Sequence, residues 1–372
     1  MKMLTTIKRG VLAAASAALL ATGPSVSAQE KEVTIQMTST WPPGINLIES
    51  DKHFVELVNK LGKGVIQIRF HPGESLVPST QVFDAVRSGS IAASADWPGY
   101  WGGTDTAFAL LGAFPMFFTG PDYILWIQGW GGKEVFDEIY GKYGMTYLPY
   151  SVITSESGPR GNEPIASLAD LQGKRIRMSG RPQGEILKAN EASQIMLPGS
   201  EVYQAVERGV VDAAEFSTPS TDLGMGLHEV SKHVMSPGWH QPGSMSGVMI
   251  NRKVWDGLSE QAQTILKVAA DATLPWSMAF FEKGSAEAVR KFEEAGTTVH
   301  QLSEEDMLTL QKQSNAAMVT EACANPEFAR IAVSQIEFMQ DYAQWRGMQG
   351  EFAMGRNLSE LPDLEAIRKC AE

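Results

Sequence analysis

One supersecondary unit occurs twice in this chain, and it restricts the fold more than any other feature. Gln81 to Trp97 reads as a short helix closed by Gly89 and followed by an apolar run that ends in Asp96-Trp97. Glu201 to Phe216 repeats the plan, with Gly209 closing the helix and Glu215-Phe216 ending the run. Val82, Phe83, Ala85, Val86, Gly89, Ile91 and Ala93 match Val202, Tyr203, Ala205, Val206, Gly209, Val211 and Ala213. A glycine just past a helix supplies the left-handed residue that ends it cleanly, and Ser200 with Glu201 reads as a helix start. Any αβ unit converges on part of this pattern. Two copies in two halves of one chain point further, to two α/β lobes whose strand ends line a shared cleft, since open α/β sheets bind ligands at their carboxyl edge.

The N-terminus carries Lys2, Lys8 and Arg9, an apolar run from Val11 to Ala21, and Val26-Ser27-Ala28 before Gln29. This is the pattern of a secretory signal peptide over residues 1–28, so the expectation is an exported, periplasmic protein. Later segments lack the run of about 18 apolar residues that a membrane span needs. The net charge is -12, and loss of the basic leader makes the mature chain more acidic, which excludes nucleic acid and anionic membrane surfaces as partners. The two cysteines, Cys323 and Cys370, both fall in the C-terminal helical region, and their spacing leaves a disulfide open.

Strands are expected at 32–38 and 65–70 with a helix at about 46–61 between them, the opening of a parallel, helix-flanked sheet. Tyr147 to Val152 reads as a strand able to cross to a second lobe, and Ser167 to Asp170 as a capping-box helix start. The loop Met235-Ser236-Pro237-Gly238-Trp239-His240-Gln241-Pro242-Gly243 leads back through a β-type run toward the cleft. Helices dominate beyond Leu258, at about 259–283, 286–294, 303–323 and from Asn325-Pro326 toward Met354. The last is a strut across both lobes or a dimerisation element. The expected division is lobe 1 at 29–150, lobe 2 at 151–255, and a helical region at 256–372 packing across both.

Enzyme signatures are missing: the chain has no Gly-x-Ser-x-Gly elbow, no phosphate-binding loop and no His-Glu-x-x-His helix. The six histidines are scattered, and His228 and His233 are five apart, which does not share a helix face. They read as surface residues, and a zinc site is not expected. Arg177 ends the alternating run Lys174 to Met178 and shares its face with Arg175. A guanidinium fork fits a carboxylate bidentately, so Arg177 is the leading candidate for gripping an acid, with an interlobe ion pair as the plainer alternative.

Over nearly all of the mature chain, the sequence resembles the extracytoplasmic solute-binding proteins of tripartite ATP-independent periplasmic (TRAP) transporters. The resemblance rests on Ser167 to Arg177, on Glu201 to Ala213, and on Pro237-Gly238-Trp239-His240-Gln241-Pro242-Gly243. The last stretch looks like the branch that binds 2-oxo or 2-hydroxy monocarboxylates with a metal ion. The resemblance implies a two-lobed periplasmic binding protein fold, no enzymatic activity and TRAP membrane subunits as partners; a homodimer through the long C-terminal helix stays open as the alternative to a strut. It implies that Arg177 clamps the ligand carboxylate, while Glu156, Glu215, the Phe216 carbonyl and Gln241 hold the metal. Trp97, Tyr100 and Trp101 would supply first-lobe contacts and a lid. Glu156 and Phe216 depart from the glutamine and tryptophan of the relatives. The carboxylate at 156 would favour Ca²⁺ over Na⁺ by hard-cation logic. Service to a sensor system, or a hydroxy-acid enzyme with Glu156 or Glu215 as base, are the alternatives.

Overall fold

The computed structural model describes residues 32–350; the expected leader and Cys370 lie outside them, and Cys323 is exposed. In chain order the strands are β1 (Val33–Thr38), β2 (Ile66–His71), β3 (Ala93–Asp96), β4 (Met145–Ile153), β5 (Arg160–Gly161), β6 (Arg175–Arg177), β7 (Ser193–Ile195), β8 (Ala213–Ala214), β9 (His233–Ser236), β10 (Ser244–Asn251) and β11 (Thr298–Gln301). They form two sheets, ordered β2-β1-β3-β10-β4 and β7-β6-β8-β5-β9-β11.

The two sheets share a plan. In each, three parallel strands in the order second-first-third are followed by an antiparallel neighbour: β10 beside β3, and β5 beside β8. The repeated unit supplies the third strand both times. Its helices run Val82–Ser88 and Gly199–Glu207, and Gly89 (φ 81°) and Gly209 (φ 66°) both adopt the left-handed conformation. Ser200 does not cap the second helix; Pro198 precedes it without a side-chain cap bond. The capping box at Ser167 and Asp170 is present, around a short 3₁₀ turn.

The chain crosses between the sheets more often than the expected division allows. β10, placed by that division in the second lobe, is a central strand of the first sheet, paired to both β3 and β4. β11 belongs to the second sheet although it lies in the helical region. Both departures have one cause: a strand's partners are set by long-range pairing, and a sequence boundary carries no record of it.

The two helices expected at 259–283 and 286–294 are one, Glu260–Glu294. Its Leu266 and Ala269 enter a core with Phe54, Ile68 and Val248 of the first lobe, while Phe292 lies against Arg160 of the second at 4.1 Å. The helix Glu304–Ala324 likewise places Leu310 with the second-lobe core and Met318 with the aromatic core of the first. Helix Pro326–Gln349 buries Phe328, Ile331 and Phe338 in that aromatic core and exposes Trp345 and Met348. Full burial of such side chains contributes about 1.5–3 kcal/mol each.

Gly89→Ala and Gly209→Ala should each lower the unfolding free energy by about 1–2 kcal/mol, because an L side chain in the left-handed region is strained. At Gly209 an added Cβ meets nothing within 4 Å, so any loss there reports backbone strain alone. Denaturant midpoints check this, and unchanged midpoints would contradict the shared turn chemistry.

Candidate functional site

β6 and β8 pair in parallel, with Arg177 opposite Ala214, so Arg177 and Glu215 emerge side by side at the carboxyl edge of the second sheet. Both side chains are buried. Arg177 Nη1 donates to Glu215 Oε1 at 2.8 Å and to the Glu215 carbonyl at 2.6 Å, while Nε and Nη2 donate to the Leu197 carbonyl at 3.3 and 3.2 Å. The guanidinium also lies over the Phe216 ring, 5.0 Å from its centre. Ser179 N–H donates to the same Glu215 oxygen at 2.6 Å. Removing one partner from a buried pair of this kind costs about 3–5 kcal/mol.

The other Glu215 oxygen, Oε2, has no hydrogen-bond partner and is fully buried. It faces His240 Nε2 at 3.3 Å, and the same nitrogen is hydrogen-bonded to Glu156 Oε2 at 3.2 Å. Three donor atoms, one each from Glu156, Glu215 and His240, thus converge on one point. The expectation that the histidines are surface residues fails at His240, which is completely buried. Its signal was available in the loop motif around it, but the residue 84 positions away that it meets was not.

Backbone contacts hold these segments together. Glu156 N–H donates to the Gln241 carbonyl at 3.2 Å, Ser157 N–H to the Ser217 carbonyl at 3.0 Å, and Gln183 Nε2 to the His240 carbonyl at 3.1 Å. Gly238 is required for the approach, since a Cβ there would lie 2.1 Å from the Glu156 carbonyl oxygen.

The charges divide unequally. Burial pushes Glu156 up to about 7, aided by the Glu215 charge and opposed by His240. Burial pushes Glu215 up as well, but the Arg177 charge, His240 and the Ser179 N–H together hold it below the ordinary carboxylate range. Burial lowers His240, and its two carboxylate neighbours outweigh that and raise it to about 9.

Glu156, Phe216 and Gln241 line a cavity of ≈ 20 Å³ together with Trp97, Tyr100, Trp41, Ser179 and Ser244. Trp97 and Tyr100 meet edge to face, 5.0 Å between ring centres. Trp101 does not reach this cavity. With Trp41, Tyr100 and Phe216 it lines an adjoining space of ≈ 220 Å³ whose other walls include Ile45, Leu197 and Pro198. Its indole N–H donates to Asp96 Oδ2 at 2.5 Å, and Tyr140 O–H donates to the same oxygen at 3.0 Å. Arg177 does not line either cavity; it lies behind Glu215 with one Nη2 hydrogen left over. Asp96 and Glu215, which close the two copies one register position apart, are both buried and differ in partners: neutral donors for one, cations for the other.

Residues 37–322 match the family model described as bacterial extracellular solute-binding protein, family 7. The monocarboxylate 2-oxoacid-binding periplasmic protein of Nostoc sp. is 26% identical over 365 residues, 97% of either chain. A TRAP transporter solute-binding protein from Bordetella bronchiseptica, a dimer with calcium and picolinate bound, superimposes with a TM-score of 0.81 at 27% identity, covering 86% of this chain and 95% of that one. A TRAP periplasmic solute-binding protein from Pseudoalteromonas atlantica, with sodium and pyruvate bound, gives 0.80 over 86% and 97% at 24% identity, a likeness of fold.

Asp96 and Asp51 generate a pH prediction. Burial raises each from 3.8 to about 7, in spite of the hydroxyl and indole donors around them. Each folded carboxyl keeps its proton over a range where the unfolded one has lost it. The stability this contributes is full below about pH 4 and is lost as pH rises through 7. Unfolding free energy measured from pH 4 to 8 should therefore fall less steeply in Asp96→Asn than in the parent; an identical slope would contradict the assignment.

Proposed function

Because the chain belongs to the bacterial extracellular solute-binding protein family 7, whose members bind solutes for transport and are not enzymes, we propose that it captures a small 2-oxo or 2-hydroxy monocarboxylate together with a metal ion and hands it to TRAP membrane subunits. The family is periplasmic, and among the described residues no helix is long and apolar enough to cross a membrane. The observation that carries the reading is the cluster of Glu156, Glu215 and His240, which Glu156 brings to the wall of a small cavity that Gln241 and Phe216 also line.

The residues present fit a cation. Glu215 Oε2 is a buried carboxylate oxygen without a hydrogen-bond partner, and a second carboxylate, Glu156, shares its nitrogen neighbour. Two carboxylates in one buried volume are costly to charge together, and a bound cation lowers that cost. A metal ion held by Glu156, Glu215, the Phe216 carbonyl and Gln241 supplies positive charge and chelation for an acid bearing an oxygen at C2. Arg177, which lines neither cavity in this structure, becomes the protein's own donor for the remaining carboxylate oxygen when its spare Nη2 hydrogen turns toward the ligand. Trp97 and Tyr100 exclude water from above, which strengthens the charge interactions beneath them.

The cavity of ≈ 20 Å³ leaves room for little more than the polar head of a small acid, and the adjoining apolar space of ≈ 220 Å³ suits an aliphatic tail. Both the Nostoc relative, a 2-oxoacid binder, and the Bordetella relative, with calcium and picolinate, support this class of ligand.

Calorimetry of the mature protein with pyruvate, lactate and longer 2-oxo acids, with metal ion and then with a chelator, tests the reading. Binding in the micromolar range or tighter should vanish with the chelator. Arg177→Lys should weaken it by about 10-fold or more, since lysine lacks the planar fork. Tight binding indifferent to the chelator would overturn the metal, and an Arg177→Lys protein that loses stability but not affinity would make Arg177 a structural residue only.

A further inference from the structure

Within the reading just proposed, His240 is the residue that no assignment covers. The ligand set carried over from relatives is all oxygen, which suits Ca²⁺ or Na⁺. The described structure adds a nitrogen to the same point. We propose that His240, with Glu156 and Glu215, forms a mixed imidazole–carboxylate donor set, and that the cation site of this protein therefore prefers a divalent transition metal such as Zn²⁺, Co²⁺ or Mn²⁺ over Ca²⁺ and Na⁺.

Geometry and donor chemistry both point this way. His240 Nε2 stands 3.2 Å from Glu156 Oε2 and 3.3 Å from Glu215 Oε2. These two spacings match edges of a tetrahedron around an ion with bonds of about 2.0–2.1 Å to nitrogen and oxygen, and the three donor atoms all lie within 4.8 Å of one another. Calcium takes oxygen ligands almost without exception, whereas imidazole suits zinc and its neighbours in the first transition row. Glu156 is the second departure: a carboxylate at this position raises the negative charge of the set, which draws a divalent ion more strongly than a monovalent one.

The loop is built to hold the ring there. The His240 carbonyl accepts from Gln183 Nε2 at 3.1 Å, Trp239 N–H donates to the Pro237 carbonyl at 2.8 Å, and the Trp239 carbonyl accepts from Met116 N–H at 2.9 Å. Trp239 packs edge to face on the imidazole, 6.0 Å between ring centres. Glu215 Oε2 supplies the independent sign of a ligand: it is buried, without a hydrogen-bond partner, and aimed at the same point.

The test uses the full mature protein, stripped with a chelator and titrated with ZnCl₂, CoCl₂, MnCl₂, CaCl₂ and NaCl by calorimetry. The Co²⁺ form is also read by its visible absorption. Zn²⁺ and Co²⁺ should bind at least about 10-fold more tightly than Ca²⁺, and His240→Gln should weaken them by roughly 10–100-fold while leaving Ca²⁺ unchanged or tighter. The Co²⁺ spectrum should change with that substitution, reporting loss of the nitrogen ligand. Glu156→Gln, which keeps the imidazole, should lower all divalent affinities yet retain a nitrogen-type Co²⁺ spectrum, and it decides the matter if His240→Gln does not fold. Preference for Ca²⁺ in the parent, or a Co²⁺ spectrum indifferent to His240→Gln, would overturn this inference and leave the metal-bridged acid site standing. Tight acid binding with no affinity for any of the ions would overturn both, and would make protonated His240 the cation of the site.

Discussion

Four ionisable side chains share one buried volume at the carboxyl edge of the second sheet, and the arrangement of the surrounding chain follows from the need to balance them. Arg177 and Glu215 pair directly, and His240 stands between Glu215 and Glu156. With His240 protonated the four groups sum to zero charge, the condition under which burial of ions is tolerable. Each charge comes from a different segment: the end of β6, the end of β8, the loop after β4 and the loop before β10. A strand register, a glycine contact and several backbone hydrogen bonds must all be correct for the charges to meet. The cluster therefore acts as a specification for the fold as much as a site within it.

The internal repeat shows how one scaffold serves two purposes. Both copies end in a buried carboxylate at the carboxyl edge of the third strand of a sheet. Asp96 receives only neutral donors, an indole N–H and a tyrosine O–H, which do not offset the effect of burial, so its pKa is raised; it anchors Trp101 beside the cleft. Glu215 receives a guanidinium and an imidazole, so its charge is retained and remains available to a cation. The backbone geometry is common; the difference in chemistry comes from neighbours supplied by other parts of the chain.

The protein's contribution is a dry, charged wall, a ceiling of aromatic rings, and an apolar space behind it. Tyr100 and Phe216 border both cavities, so the volume open to a ligand depends on where these two rings sit. The long helix Glu260–Glu294 contacts both lobes and so constrains how they approach.

Much of the architecture was legible in residue order alone, because its signals are local. The left-handed glycines, the Ser167 capping box, the alternation of β1 and β6 and the helical onset at Asn325-Pro326 each depend on a few neighbouring residues. Arg177 and Glu215 stood out for the same reason, at the ends of strands in a repeated pattern. The sheet membership of β10 and β11 did not, since hydrogen-bonded pairing joins segments far apart in sequence. His240 is the clearest case: residue type and spacing read as a surface histidine, and only packing of the 237–243 loop against residue 156 buried it between two carboxylates. The sequence determined the two α/β lobes and the residues that could carry charge; tertiary structure decided which charges meet, because burial and electrostatic coupling depend on distance in space and not along the chain.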